Sequence, residues 1–282
     1  MPARTLYAEQ SCTIETNAGT KGNFVIQTAS CETTIPVDDL LVLGKLGSAG
    51  RFQKEVSTCK SDLKIFLNQS GADASKGYGP DGTFLSTLTG EAFAGKVATI
   101  SVSPNGFTMS GIVTSIGLDI SKGSFGMCDL SFAGVGTPDY AGVPTTATGY
   151  TGDVYSYTAV PILTGVSLLG NASSTCPNSA KVSIDLPNEV ISCLGGAIVG
   201  DQSTVANDNL MLVKPPIKGT ITVEGTSAAE ATGVEFLKDD GSSFLKVAIS
   251  DGKLTSRSFN QNVGDVGANY NFTVEGLGVE IS

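Results

Sequence analysis

Thr34-Ile35-Pro36-Val37-Asp38-Asp39-Leu40-Leu41-Val42-Leu43-Gly44 leads into a glycine-punctuated loop, and its rhythm returns past the midpoint of the chain. There Ile184-Asp185-Leu186-Pro187-Asn188-Glu189-Val190-Ile191-Ser192-Cys193-Leu194-Gly195 again runs apolar, proline, acidic or amide pair, apolar run, Leu-Gly. Further landmarks recur in the same order. Lys96-Val97-Ala98-Thr99-Ile100-Ser101 is echoed by Lys246-Val247-Ala248-Ile249-Ser250, and the turn Asn105-Gly106 by Asp251-Gly252. Each half closes on a strand-like segment ending in glycines, Leu130 to Gly136 and Phe272 to Gly278. The spacing is 151 residues from Pro36 to Pro187, 150 from Lys96 to Lys246, 146 from Gly106 to Gly252 and 142 from Gly134 to Gly276. Chance matches would scatter, whereas steady offsets are the mark of an internal repeat. The expectation is two tandem copies of one domain, 1–137 and 159–282, joined by a linker at 138–158. That linker is rich in Pro, Gly and Thr and poor in large apolar residues.

The 282 residues leave each copy enough chain to bury its own core. Glycine is abundant (35 residues), charged residues are only 16%, and Val, Ile, Thr, Phe and Tyr are common. This is the composition of sheets and turns, so the expected class is all-β with minor α. The net charge of −10 speaks against sequence-independent binding to nucleic acid, which needs clustered Lys and Arg. Residues 1–140 hold 10 basic and 13 acidic side chains, and residues 141–282 hold 7 and 14, so the second half is the more acidic. Such acidity serves solubility and also suits a wall that repels DNA.

The N-terminus lacks an apolar core of signal-peptide length, and no stretch approaches the ~20 apolar residues of a membrane helix. A soluble protein made in a cytoplasm is the expectation, with no membrane span. Cys12, Cys31, Cys59, Cys128, Cys176 and Cys193 lie far apart and form no CxxC pair, so free, mostly buried thiols are expected.

Strands are expected at 12–16, 23–28, 31–35 and 61–67, with Pro36 ending the third because it cannot donate to a ladder. Leu40 to Leu43 could be a short buried helix or a strand, since periodicity cannot decide over so few residues. Phe84, Leu85, Leu88, Ala92 and Phe93 predict a short amphipathic helix over 83–95. Residues 228–238 occupy the matching place in the second half. A meander follows over 97–102, 107–120 and 125–132.

Histidine is absent, which excludes Ser-His-Asp and Cys-His triads, His-bearing zinc sites and imidazole acid–base chemistry. Asp38-Asp39 and Asp239-Asp240 could in principle serve carboxylate chemistry or calcium, but neighbours on a strand point to opposite faces and pairs in turns are solvated. Gly77 to Gly82 spells GxGxxG, yet no strand precedes it and Pro80 sits inside it, so it reads as a surface turn. No catalytic, cofactor-binding or metal residues are expected, and no enzyme.

The order strand, Ile-Pro-Val-Asp-Asp, apolar run, Leu-Gly loop, strand, helix, meander resembles the tail tube proteins of long-tailed bacteriophages. The nearest stretch is Thr34 to Asp39 through Gly44-Lys45-Leu46-Gly47 and on to Ser57 to Leu63. The resemblance implies tandem β-sandwich domains, each with a short flanking helix. It further implies rings stacked into a tube that carries DNA without binding it specifically. Three two-domain chains would then make a pseudo-hexameric ring in the virion tail, assembled in the host cytoplasm. The implied partners are further copies of the chain and other tail proteins such as the tape measure and terminator. Within the segment 34–60, Asp38, Asp39, Lys45, Leu46, Arg51 and Phe52 are the candidate inter-ring or inter-subunit loop. The second copy departs most from the pattern, since Ser192-Cys193 interrupts its apolar run. Competing readings are a capsid decoration or head–tail connector protein, and a tandem carbohydrate-binding or adhesin module, the last weakened by the absence of Trp.

Overall fold

A computed structural model describes residues 11–41, 43–44, 46–53, 56–67, 80–103, 106–121, 124, 126–140, 165–169, 177–192, 209–213, 217–225, 232–237, 241–261 and 269–282. Strands make up most of the described residues. The first half holds β1 (Ser11–Glu15), β2 (Lys21–Thr34), β3 (Val37–Leu41), β4 (Ser48–Gln53) and β5 (Thr58–Phe66). A helix, α1 (Gly82–Phe93), follows, and then β6 (Ala98–Ser103), β7 (Phe107–Ser121) and β8 (Met127–Val135). The second half holds β9 (Gly165–Leu169), β10 (Pro177–Asp185), β11 (Asn188–Ser192), β12 (Asn209–Val213) and β13 (Lys218–Gly225). It ends with β14 (Gly233–Leu237), β15 (Ser243–Ser250), β16 (Lys253–Asn260), β17 (Asn269–Gly276) and β18 (Gly278–Ile281).

In the first half the antiparallel pairings close on themselves in the cycle β1-β2-β5-β8-β7-β6. Two long strands make this possible. β2 gives residues 21–25 to β1 and residues 26–34 to β5, and β7 likewise divides itself between β6 and β8. Strict alternation places Leu63, Ile65, Cys128, Leu130, Phe132, Ile116 and Leu118 inside. Pro36 does end β2, but residues 23–34 run as one strand without the break expected near Ala29.

α1 forms although Thr83, Ser86, Thr87, Thr89 and Gly90 are poor helix formers. Asp81 caps it, its carboxylate accepting from the Phe84 N–H at 2.8 Å, and Gly95, at φ +67°, turns the chain out at the other end. What holds it is burial: Phe84, Leu85, Leu88 and Ala92 are buried, with Phe84 edge-on to Phe24 of β2. Each of the three large side chains contributes about 2 kcal/mol. Glu91 on the same helix accepts the backbone N–H groups of Asn17 and Ala18, both at 2.7 Å, and so ties the β1–β2 turn to the helix.

In the second half β10-β13-β17-β16 form one sheet and β9-β14-β15-β18 another. Gly219 and Gly276 lie where a side chain would run into Ile249 of β15, so the two sheets approach closely there. The helix expected over 228–238 is corrected: residues 233–237 are strand β14. Val234 and Phe236 alternate into the core with Glu235 and Leu237 half-buried, and β9 and β15 flank the strand on both edges. The remaining residues of that expectation lie outside the described ones. Among the described residues α1 is the one helix, and no helix is long and apolar enough to cross a membrane. One continuous hydrophobic core draws on both halves.

Removing the clamp should be measurable. Glu91→Ala is expected to lower stability by roughly 2 kcal/mol, because two inward backbone donors lose a charged acceptor. Glu91→Gln, which keeps an acceptor oxygen, should lose less. Urea unfolding followed by circular dichroism checks both, and equal midpoints for all three proteins would contradict the clamp.

Candidate assembly interface

The candidate residues lie on a hairpin that leaves the body of the fold. Among the described residues β3 and β4 pair only with each other, with Val37 opposite Gln53, Asp38 opposite Phe52 and Asp39 opposite Arg51. The Arg51 guanidinium meets the Asp39 carboxylate at 2.7 Å, an exposed pair worth at most about 1 kcal/mol. Leu46 is at the tip, and Lys45 lies outside the described residues. For Leu40 to Leu43, which the residues alone allow as a short buried helix or a strand, Val42 lies outside the described residues. Leu40 and Leu41 belong to β3, and the strand is exposed along its whole length. Leu41 is 75% exposed, and Leu43 and Leu46 are fully so. A lone two-stranded hairpin is marginal in water, and this one carries uncovered leucines at its tip.

The counterpart hairpin in the second half behaves differently. β11 pairs with β12 so that Asn188 faces Val213, the same register that sets Val37 against Gln53 when Pro36 is matched to Pro187. Strand β12 lies against α1, β7 and β8, in the other half of the chain.

The sheets correspond in the same way. The order β2-β5-β8-β7 in the first half is matched by β10-β13-β17-β16 in the second. Thr34 pairs with Thr58 as Asp185 pairs with Lys218, and Cys59 with Gly134 as Gly219 with Gly276. Even the irregularities coincide. β7 bulges between Val113 and Ser115 against β8, and β16 bulges between Leu254 and Ser256 against β17. An extra residue at the same place in two sheets records the same bend.

These two four-stranded blocks join edge to edge. β10 pairs with β7 over Ser179 to Asp185 and Ser121 to Ser115. On the core side of this seam Ala180, Val182 and Ile184 face Ile120, Leu118 and Ile116, all buried. On the outward side Lys181 stands opposite Asp119. That pairing of charge continues across the sheet: Lys60 faces Glu32, Lys64 faces Asp129, Lys218 faces Asp185 and Lys253 faces Glu275. Each of these lysines therefore has a carboxylate directly across from it, 3.0 Å away in the neighbouring pair Lys218–Glu275. The rest of this face is largely Ser, Thr and Asn. The acidity of the chain is thus not concentrated here, since each of these five lysines stands opposite a carboxylate in register, and Lys218 makes an ion pair.

At the two ends of the combined sheet the edges are bare. Among the described residues, β2 has no strand beside residues 28–34 on the side away from β5, and β16 has none on the side away from β17. β16 is exposed along its length, with Phe259 58% exposed and resting edge-on against Tyr270. Sequence reasoning singled out neither edge. The available signal was the conserved spacing of the closing strands, which sets Phe259 at the place of the buried Leu118.

The described cysteines, Cys12, Cys31, Cys59 and Cys128, are free. Burial drives the Cys12 and Cys128 thiols far above their ordinary range, while Cys31 on the β2 edge is raised by partial burial and eased by a bond to Tyr140. Among the described residues no group of His, Cys, Asp and Glu could hold a metal ion. Compared with known protein families the chain matches none, and a search of curated proteins finds no relative.

Alkylation followed by peptide mass spectrometry should label Cys31 in the folded protein, more slowly than a free thiol, with the rate rising with pH as the thiolate forms. Cys12 and Cys128 should label only after unfolding. Early labelling of either would contradict their burial.

Proposed function

We propose that the chain is a structural subunit that joins edge to edge with further copies of itself into closed rings, and that the rings stack into a tube of the bacteriophage tail type through which DNA passes. The observation that carries this reading is the β10–β7 seam. Two blocks of matched strand order and register are already joined in the manner that would add the next block, and each end of the sheet offers the half of that seam the other lacks. A head-to-tail joint of this kind makes a ring when its rotation closes and a filament when it does not. The resemblance of the Thr34 to Leu63 segment favours closure, with two tandem β-sandwich domains per chain and three chains in a pseudo-hexameric ring.

The outward face suits a channel wall. DNA binding draws on lysines free to replace counterions, and here the lysines of this face each stand opposite a carboxylate in the strand register. Viral DNA would slide past Ser, Thr and a face of interspersed, opposite charges. The exposed leucines of the β3–β4 hairpin suit contact with a further subunit, and the tape measure and terminator proteins of the tail are the other partners this reading brings. A capsid decoration or connector role uses the same β-rich chemistry but does not call for two complementary bare edges. An adhesin would stay a small discrete oligomer.

Negative-stain electron microscopy of the purified protein at rising concentration tests the proposal. Hollow rings and tubes with a regular axial repeat are expected. Compact particles of one size at every concentration and salt would overturn it. Removing residues 46–50 should leave folded protein that no longer forms tubes, and tubes of normal length would take the hairpin out of the interface. The triple variant Asp119→Asn, Asp129→Asn, Asp185→Asn removes the carboxylates opposite Lys181, Lys64 and Lys218 and leaves the face net basic. Its assemblies should retain DNA in a salt-sensitive manner where the parent does not, read by co-sedimentation.

A further inference from the structure

The seam inside the chain is detailed enough to specify the seam between chains. β10 and β2 correspond residue for residue at the spacing of Pro36 and Pro187, so Val182 answers to Cys31 and Ala180 to Ala29. β16 and β7 correspond through their coincident bulges, so Ser256 answers to Ser115 and Phe259 to Leu118. Val182 faces Leu118 in the internal seam.

We infer that the free edge of β2 pairs antiparallel with the free edge of β16 of a second copy, with Cys31 opposite Phe259, Ser30 opposite Asn260 and Ala29 opposite Gln261. This deepens the assembly reading and rests on it, naming the partner surface and its register. The faces agree. Ala29, Cys31, Phe259 and Gln261 fall on the core side, where Phe259 would be covered as Leu118 is. Ser30 and Asn260 fall on the polar side, continuing the Ser and Thr surface without an unpaired charge. A slip by one residue would turn Phe259 against the polar face, so alternation selects this register over its neighbours.

The hairpins supply an independent argument for the same partner. Within the chain, β12 of the second half lies over α1, β7 and β8 of the first. The corresponding β3–β4 hairpin has no such half beneath it, because the half it would cover belongs to the next copy. The same joint that pairs β2 with β16 carries the hairpin over that copy's β16 and β17, where its leucines find cover.

A single substitution tests the register. In Phe259→Cys the new thiol lies directly across from native Cys31, and opposed residues of an antiparallel pair bring their Cβ atoms to about 4.5–5.5 Å, close to disulfide range. Mild oxidation of the assembled protein should give a ladder of linked chains on a non-reducing gel, and peptide mass spectrometry should find Cys31 joined to position 259. Ser258→Cys, on the opposite face, should link at least tenfold less. Should Phe259→Cys fail to assemble, Ala29→Cys with Gln261→Cys in a Cys31→Ser background places the same bridge two residues along. Rings or tubes visible by microscopy without either link would overturn the register and leave the assembly reading standing. Links from Ser258→Cys as abundant as those from Phe259→Cys would overturn it also. No link and no assembly at any concentration would overturn both.

Discussion

A backbone amide at the edge of a sheet needs a partner as much as one in the middle, and water is the weaker answer when the edge is long and its face apolar. Among the described residues this chain ends its combined sheet on two edges that pair with no neighbouring strand. β2 offers residues 28–34 and β16 offers an exposed strand bearing Phe259. Proteins that stay alone blunt their edges with charge, proline or a covering loop. Here Pro36 stands just past the end of β2, and Phe259 gives its edge apolar surface to bury. The rest of the structure follows from leaving these edges available. The long strands β2 and β7 each close a first-half core with one part of their length and leave the other part for a lateral neighbour.

The internal seam shows what such an edge gains. Ala180, Val182 and Ile184 lock against Ile120, Leu118 and Ile116 in a fully buried row, and burial of one large aliphatic side chain is worth about 2 kcal/mol. Charge is dealt with on the other face by cross-strand pairing instead of by excess of one sign. A net charge of −10 had suggested an acidic wall, but the sheet carries its lysines and carboxylates opposite one another. A surface of interspersed opposite charges attracts phosphates less than one of clustered lysines, and it carries less self-repulsion than a face of one sign.

Much of the fold could be read from the residues. Alternation located the strands around Leu63, Ile100 and Ile116, and the spacing of Phe84, Leu85, Leu88 and Ala92 located α1. The landmarks at Pro36 and Pro187 and at Gly134 and Gly276 fell at places that pair in matching register. Where reading failed, the cause was physical. Positional analogy with α1 suggested a helix over 228–238, but within it Val234 and Phe236 alternate with a period of two, and β9 and β15 flank the strand at 233–237. Four apolar residues at 40–43 carry no period at all, and the exposure of Leu40, Leu41 and Leu43 depends on what lies beneath the hairpin, which no local pattern encodes. The edges were invisible for the same reason. Thr28 to Thr34 reads as any polar strand until its neighbours are known, and Phe259 reads as core until the sheet is seen to stop beside it.

The central claim is that both edges are satisfied only by another copy. Hydrogen–deuterium exchange, resolved to peptides and compared between dilute and assembled protein, addresses it directly. The account predicts that the amides of 28–34 and 256–261 that point away from β5 and β17 exchange freely when dilute and become protected together on assembly, while Ser179 to Asp185, already seamed to β7, remain unchanged. Assembly that leaves both edges exchanging freely, with new protection elsewhere, would contradict it.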